Sequence, residues 1–168
     1  MKIFLFLLSV LFVTVSFGQT AEEYYNQGYA KFESKDYSGA IADYTKAIEL
    51  NPKYTFVYYN RGLAKNLLKD FRGAKVDFTK AIEIDPADAK LYGNRGIAKA
   101  NLKDYQGAIV DYTKAIELDS AYALAYHNRG IAKYRLPVPD LDGACLDLSK
   151  AGELGVDNAY KIIKEICN

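Results

Sequence analysis

The sequence predicts an all-α fold: an α-solenoid of four helix-turn-helix units, closed by a short C-terminal helix. Three observations carry this. First, residue types recur every 34 positions: Tyr24, Tyr58, Tyr92 and Tyr126; Asn26, Asn60, Asn94 and Asn128; Gly28, Gly62, Gly96 and Gly130; Lys31, Lys65, Lys99 and Lys133. Self-similarity at a fixed period of this length marks stacked supersecondary units, none of which buries its apolar face alone. Second, each unit carries two apolar patterns with helical spacing. In the second unit Ala74, Phe78, Ala81 and Ile82 fall at i, i+4, i+7 and i+8. Third, breakers stand between the patterns: Lys69-Asp70 as a polar turn, and Pro52 and Pro86 closing the first two units.

Residues 1–18 are expected to be a cleaved export signal. Lys2 is a short basic start, Ile3 to Val15 is apolar apart from Ser9 and Thr14, and Ser16 and Gly18 are small residues placed for cleavage before Gln19. The 15 residues from Ile3 to Phe17 fall short of a spanning helix, which needs about 20. The mature chain, 19–168, is then one exported domain, periplasmic or secreted, with no stable membrane insertion. Its units are 21–54, 55–88, 89–122 and 123–155, with a capping helix over 158–167.

Within these units the order is fixed: an aromatic, Gly four residues on, Ala twelve after that, an aromatic, Ala, then a breaker. The third unit has Tyr92, Gly96, Ala108, Tyr112 and Ala115, with Ser120 at the breaker position. This resembles the tetratricopeptide repeat family over roughly residues 21–155. The resemblance implies a right-handed, curved solenoid whose first helices line an inner groove. It also implies that the groove takes an extended or helical peptide from another protein, with no catalysis and no cofactor. The groove positions are Tyr25, Asn26 and Tyr29; Phe56, Tyr59, Asn60 and Leu63; Lys90, Asn94 and Ile97; and Leu124, His127, Asn128 and Ile131. A subclass of the family grips a C-terminal carboxylate with a Lys/Asn/Asn/Lys/Arg clamp. Only Asn60 and Lys90 match it; Tyr25, Tyr29 and Asn94 hold the other three places, so that clamp is not expected.

The asparagines are the leading ligand contacts, because a side-chain amide can meet a peptide backbone without regard to its sequence. Their alternative role is to hold the neighbouring helix. Tyr25, Tyr29, Phe56 and Tyr59 make one half of the groove more aromatic, and exposed aromatics in a concavity suit anchoring.

The small residues read as packing. Gly28, Gly62, Gly96 and Gly130 are expected to face Ala40, Ala74, Ala108 and Ala144 where the two helices of a unit cross. Tyr44, Phe78 and Tyr112 are expected to fill the space between units. One polar set is also periodic. Asp43, Asp77, Asp111 and Asp147 recur on second helices. Arg61, Arg95 and Arg129 recur on first helices, with Gln27 in the first unit. Arginine is missing only where no earlier unit exists. The expected pairs are therefore Asp43–Arg61, Asp77–Arg95 and Asp111–Arg129 across successive units, with pairing inside each unit as the alternative.

The last unit departs from the pattern. Leu136-Pro137-Val138-Pro139 lengthens its inner turn by two residues, and Gly155 ends its second helix. Asp157 or Asn158 is expected to cap the final helix, with Tyr160, Ile163 and Ile166 as its buried stripe. The only two cysteines, Cys145 and Cys167, lie eleven residues either side of Val156. In an antiparallel hairpin they fall at similar height, which in an exported chain favours a disulfide over two buried thiols.

Composition excludes several functions. With 22 Lys and Arg against 21 Asp and Glu, the chain lacks the basic surface that nucleic acid requires. His127 is the only histidine, and no metal, phosphate-loop or nucleophile motif appears. Two further readings stay open: an assembly subunit that self-associates or docks through its end or convex face, and glycan binding by the aromatic–Asn groove.

Overall fold

The computed structural model describes residues 19–167, and the proposed export signal lies outside them. Among the described residues are nine helices and no strand: α1 (Ala21–Glu33), α2 (Tyr37–Leu50), α3 (Thr55–Leu67), α4 (Phe71–Ile84), α5 (Ala89–Asn101), α6 (Tyr105–Leu118), α7 (Ala123–Tyr134), α8 (Leu141–Glu153) and α9 (Asn158–Ile166). Each packs on the next, and α1, α3, α5 and α7 also touch one another in series. The odd-numbered helices therefore lie on the inner side of the curve. No helix among the described residues is long and apolar enough to cross a membrane.

Local chemistry sets the helix ends. In the first three units the turn is a Schellman closure: the Asp36, Asp70 and Asp104 amides donate back to the Lys31, Lys65 and Lys99 carbonyls. The closing residue is left-handed, and here it is lysine rather than glycine, with φ of 66°, 62° and 65° at Lys35, Lys69 and Lys103. The same aspartates then cap the next helix, each carboxylate accepting from the amide of Gly39, Gly73 or Gly107 at 2.9 Å. The fourth unit keeps the cap, Asp140 on Gly143, but reaches it through the longer proline turn.

The glycines meet rings before they meet alanines. A Cβ added at Gly28, Gly62 or Gly96 would lie 2.7, 2.8 or 2.6 Å from the ring of Tyr44, Phe78 or Tyr112. The expected glycine–alanine approach survives as a backbone contact at Gly28 and Gly130, against the carbonyls of Ala40 and Ala144. Each ring sits over the glycine of its own unit and continues the core to Val57, Ala98 or Ala132 of the next.

The capping helix keeps the repeat register. Tyr160 follows Tyr126 by 34 residues, because the lengthened turn in the fourth unit is offset by a turn two residues shorter before α9. Helix α9 is thus a fifth first helix without a partner. Its Ala159 is buried where Val57, Leu91 and Ala125 are buried. Lys164 stands where the other units have glycine. Two expectations about α9 need correction. Its packed stripe is Ala159, Ile162, Ile163 and Ile166, whereas Tyr160 covers Gly152 and stays half exposed. Asp157 precedes the helix but makes no side-chain cap. Cys145 and Cys167 are joined as a disulfide, their Cα atoms 6.0 Å apart.

The other end is closed by polarity. Glu23 occupies the position of Val57, Leu91, Ala125 and Ala159, and its carboxylate accepts from the Thr20 amide in a capping box.

Candidate binding groove

The arginine network fixes the pose of the odd helices, and it differs from the expected one. Arg61, Arg95 and Arg129 pair inside their own units, with Asp77, Asp111 and Asp147, not across units with Asp43, Asp77 and Asp111. Nε and Nη2 of each arginine donate to the two oxygens of one carboxylate at 2.6 to 2.9 Å. Lys65, Lys99 and Lys133 complete each site at 2.8, 2.7 and 3.0 Å. What crosses between units is Nη1, which donates to Thr45, Thr79 and Thr113 of the preceding second helix. Each threonine hydroxyl in turn donates to a carbonyl of its own helix. The aspartates are at most 4% exposed. Two matched hydrogen bonds and a second cation make such burial tolerable.

Three depressions run along the inner face. The largest, about 480 Å³, lies between the starts of α3 and α5 and is lined by Tyr54, Phe56, Tyr59, Asp88, Lys90 and Leu91. A second, about 350 Å³, has Leu63, Leu67 and Ile97 as its apolar wall, with Asn66, Asn94 and Asn101 beside them. A third, about 180 Å³, holds Ile97, Asn128, Ile131 and Arg135. The structure thus brings Phe56, Tyr59, Lys90, Leu63, Asn94, Ile97, Asn128 and Ile131 onto these surfaces.

Tyr25 does not belong among free anchors. Its ring packs 6.0 Å from Tyr44 and 5.4 Å from Tyr54, and burial raises its pKa. Tyr29 and Phe56 are well exposed. Burial also raises the pKa of the Tyr59 hydroxyl.

The asparagine ladder is half engaged. Asn60 and Asn94 donate to the Phe56 and Lys90 carbonyls, both at 2.9 Å, and Asn60 also reaches the Tyr25 hydroxyl at 3.4 Å. Their amide donors therefore serve the helices and leave the carbonyl oxygens for a guest. Asn26 is exposed at the first unit. Two groove atoms are buried without a hydrogen bond: Asn66 Oδ1 and His127 Nδ1. Desolvation holds the His127 imidazole below its ordinary pKa. Asn66 escaped the sequence reading because its place in the repeat holds Phe32, Ala100 and Tyr134 in the other units. Tyr54 and Asp88 escaped because they sit in the turns between units.

A family model described as TPR repeat matches residues 28–66 and 101–136, and two described as Tetratricopeptide repeat match 56–88 and 78–110. No curated protein matches the chain. Among solved structures, the MamA protein is 25% identical, with 83% of this chain and 76% of that one covered and a TM-score of 0.78. The TPR domain of Arabidopsis OM64 is 31% identical, with coverages of 69% and 96% and a TM-score of 0.67. The first TPR of Spaghetti (RPAP3), solved with an HSP90 peptide, SRMEEVD, is 28% identical, with coverages of 68% and 90% and a TM-score of 0.66.

Proposed function

Because the chain belongs to the tetratricopeptide repeat family, we propose that it is a non-catalytic adaptor holding a peptide or protein partner in the groove of its odd-numbered helices. The observation that carries this reading is the second depression. It combines an apolar wall of Leu63, Leu67 and Ile97 with the orphaned Asn66 Oδ1. A buried acceptor without a partner costs about 1–3 kcal/mol, and a backbone amide of a guest would satisfy it. The exposed Phe56 and Tyr29 supply apolar anchors on either side. A largely preformed surface spares the guest the ordering cost of building its site.

The solved relative with a bound HSP90 peptide supports a peptide as the guest. Tyr25 and Tyr29, at two of the clamp positions, point to a guest gripped along its length rather than by a terminal carboxylate. The Cys145–Cys167 disulfide and residues 1–18 support action outside the reducing cytoplasm. Apolar end-to-end stacking of copies is disfavoured by Glu23 in the core position of α1 and Lys164 in the glycine position of α9.

Capture of partners from the producing cell tests the groove. A Tyr59→Ala, Asn60→Ala, Asn94→Ala variant is expected to lose captured protein at least tenfold. Undiminished capture by a folded variant would send the function to another face.

A further inference from the structure

In three units a buried carboxylate holds a guanidinium that also lies over a tyrosine ring. Arg61, Arg95 and Arg129 sit 5.7, 5.5 and 5.6 Å from the ring centres of Tyr58, Tyr92 and Tyr126. The first unit keeps the carboxylate and the ring but has no arginine. Asp43 is 4% exposed, and Tyr24 stands where the other tyrosines stand. Gln27 is exposed and makes no hydrogen bond to Asp43. The Lys31 ammonium is 2.6 Å from Asp43 Oδ2, but outside hydrogen-bond geometry, so that buried oxygen accepts no hydrogen bond. Lys31 is also 43% exposed, against 18% for Lys65 and Lys99. The cation beside the ring is Lys46, 5.1 Å from the Tyr24 centre.

In later units the preceding second helix stands beside the guanidinium, and its threonine takes Nη1; among the described residues no helix precedes α1, so this side of Asp43 faces the N-terminal end of the rod. The exposed side chains beside it on α1 include Glu22 and Glu23, which favour an approaching cation.

We propose that this end is a guanidinium site, taking an arginine side chain from a partner polypeptide. The arginine donates to both oxygens of Asp43 and stacks on Tyr24, displacing Lys46 from the ring. Arginine is selected over lysine because its planar fork makes two parallel bonds where an ammonium makes one point contact. The site lies apart from the inner groove and does not depend on it.

The test is an NMR titration of the purified protein with N-acetyl-arginine amide, with N-acetyl-lysine amide as the control. Arginine is expected to shift amides near Tyr24–Lys31 and Asp43–Lys46 with millimolar affinity, and lysine to bind at least about fivefold more weakly. Gln27→Arg fills the slot in cis, as the other units do, and should abolish the response in a folded protein. Asp43→Asn should abolish it too; if that variant fails to fold, Gln27→Arg decides. Equal responses to the two amides, no response to arginine up to about 100 mM, or an unchanged response in Gln27→Arg would overturn the proposal. So would self-association by light scattering that Gln27→Arg removes, since the slot would then serve a second copy of this chain.

Discussion

The two ends of the rod are finished by different means. At the C-terminal end a fifth first helix is laid over Leu148 and Ala151 in the ordinary register and then locked by Cys145–Cys167. At the N-terminal end, among the described residues, no helix is added before α1. Two interior residue types are replaced instead, so that Glu23 stands where the core has Val57 and Leu91, and Gln27 where it has arginine. A stack must stop exposing apolar surface at both ends. Covering achieves this with buried area and a covalent lock. Substitution achieves it with charge, and it leaves Asp43 poorly paired.

Removing the lock should produce the largest change. With the cysteines 22 positions apart, replacing both by alanine is expected to cost about 3 kcal/mol. The loss should be local: amide exchange in α9 rises first, while α3 to α6 keep their protection. Unchanged exchange in α9 would mean that Ala159, Ile162, Ile163 and Ile166 hold the helix without help, and the covalent part of the comparison would fall.

Arg95→Gln imposes the condition of the first unit on the middle of the rod. Stripping a buried carboxylate of its partner costs about 3–5 kcal/mol. Lys99 stays 2.7 Å from Asp111, so about 2–3 kcal/mol is expected, read as a lower urea midpoint. The reverse change, Gln27→Arg, restores the pair and the stacking but has no preceding threonine to meet. It should add about 1 kcal/mol, a rise in Tm of about 2–6 °C. A loss of stability would show that Lys31 already satisfies Asp43.

Much of this architecture was legible from the 34-residue period, because each recurring residue repeats a physical demand. Tyr92, Gly96, Ala108 and Ala115 announce one hairpin, and four copies announce a stack. The pairing was not legible from the same signal. Asp43, Arg61 and Asp77 are spaced so that the arginine can turn either way, and a one-dimensional period cannot say which carboxylate faces it. The absence of arginine from the first unit was read as the mark of a missing neighbouring carboxylate. The missing partner, however, is the hydroxyl of Thr45, Thr79 and Thr113 rather than a carboxylate. At the groove the asparagine positions were legible, but not the use of their donors on Phe56 and Lys90 carbonyls. That engagement depends on rotamers, which repeat spacing leaves open.

The smallest expected effect separates the ends by pH. Tyr25 and His127 occupy one register position, in the first and last units. The phenol is pushed up by burial, away from the neutral range, so that position is silent there. Burial pushes the imidazole down, and Nδ1 has no hydrogen bond to offset it. The unfolded chain takes up a proton at His127 near pH 6.5, while the native chain still resists. Protons therefore favour unfolding as pH falls through that value, and the penalty levels off below the folded pKa. Above it the neutral ring carries no such penalty. Between about pH 7.5 and pH 5.5 the urea midpoint of the wild type should thus fall more steeply than that of His127→Gln. Parallel curves would mean that His127 is hydrated in solution, and that the last unit is as silent to protons as the first.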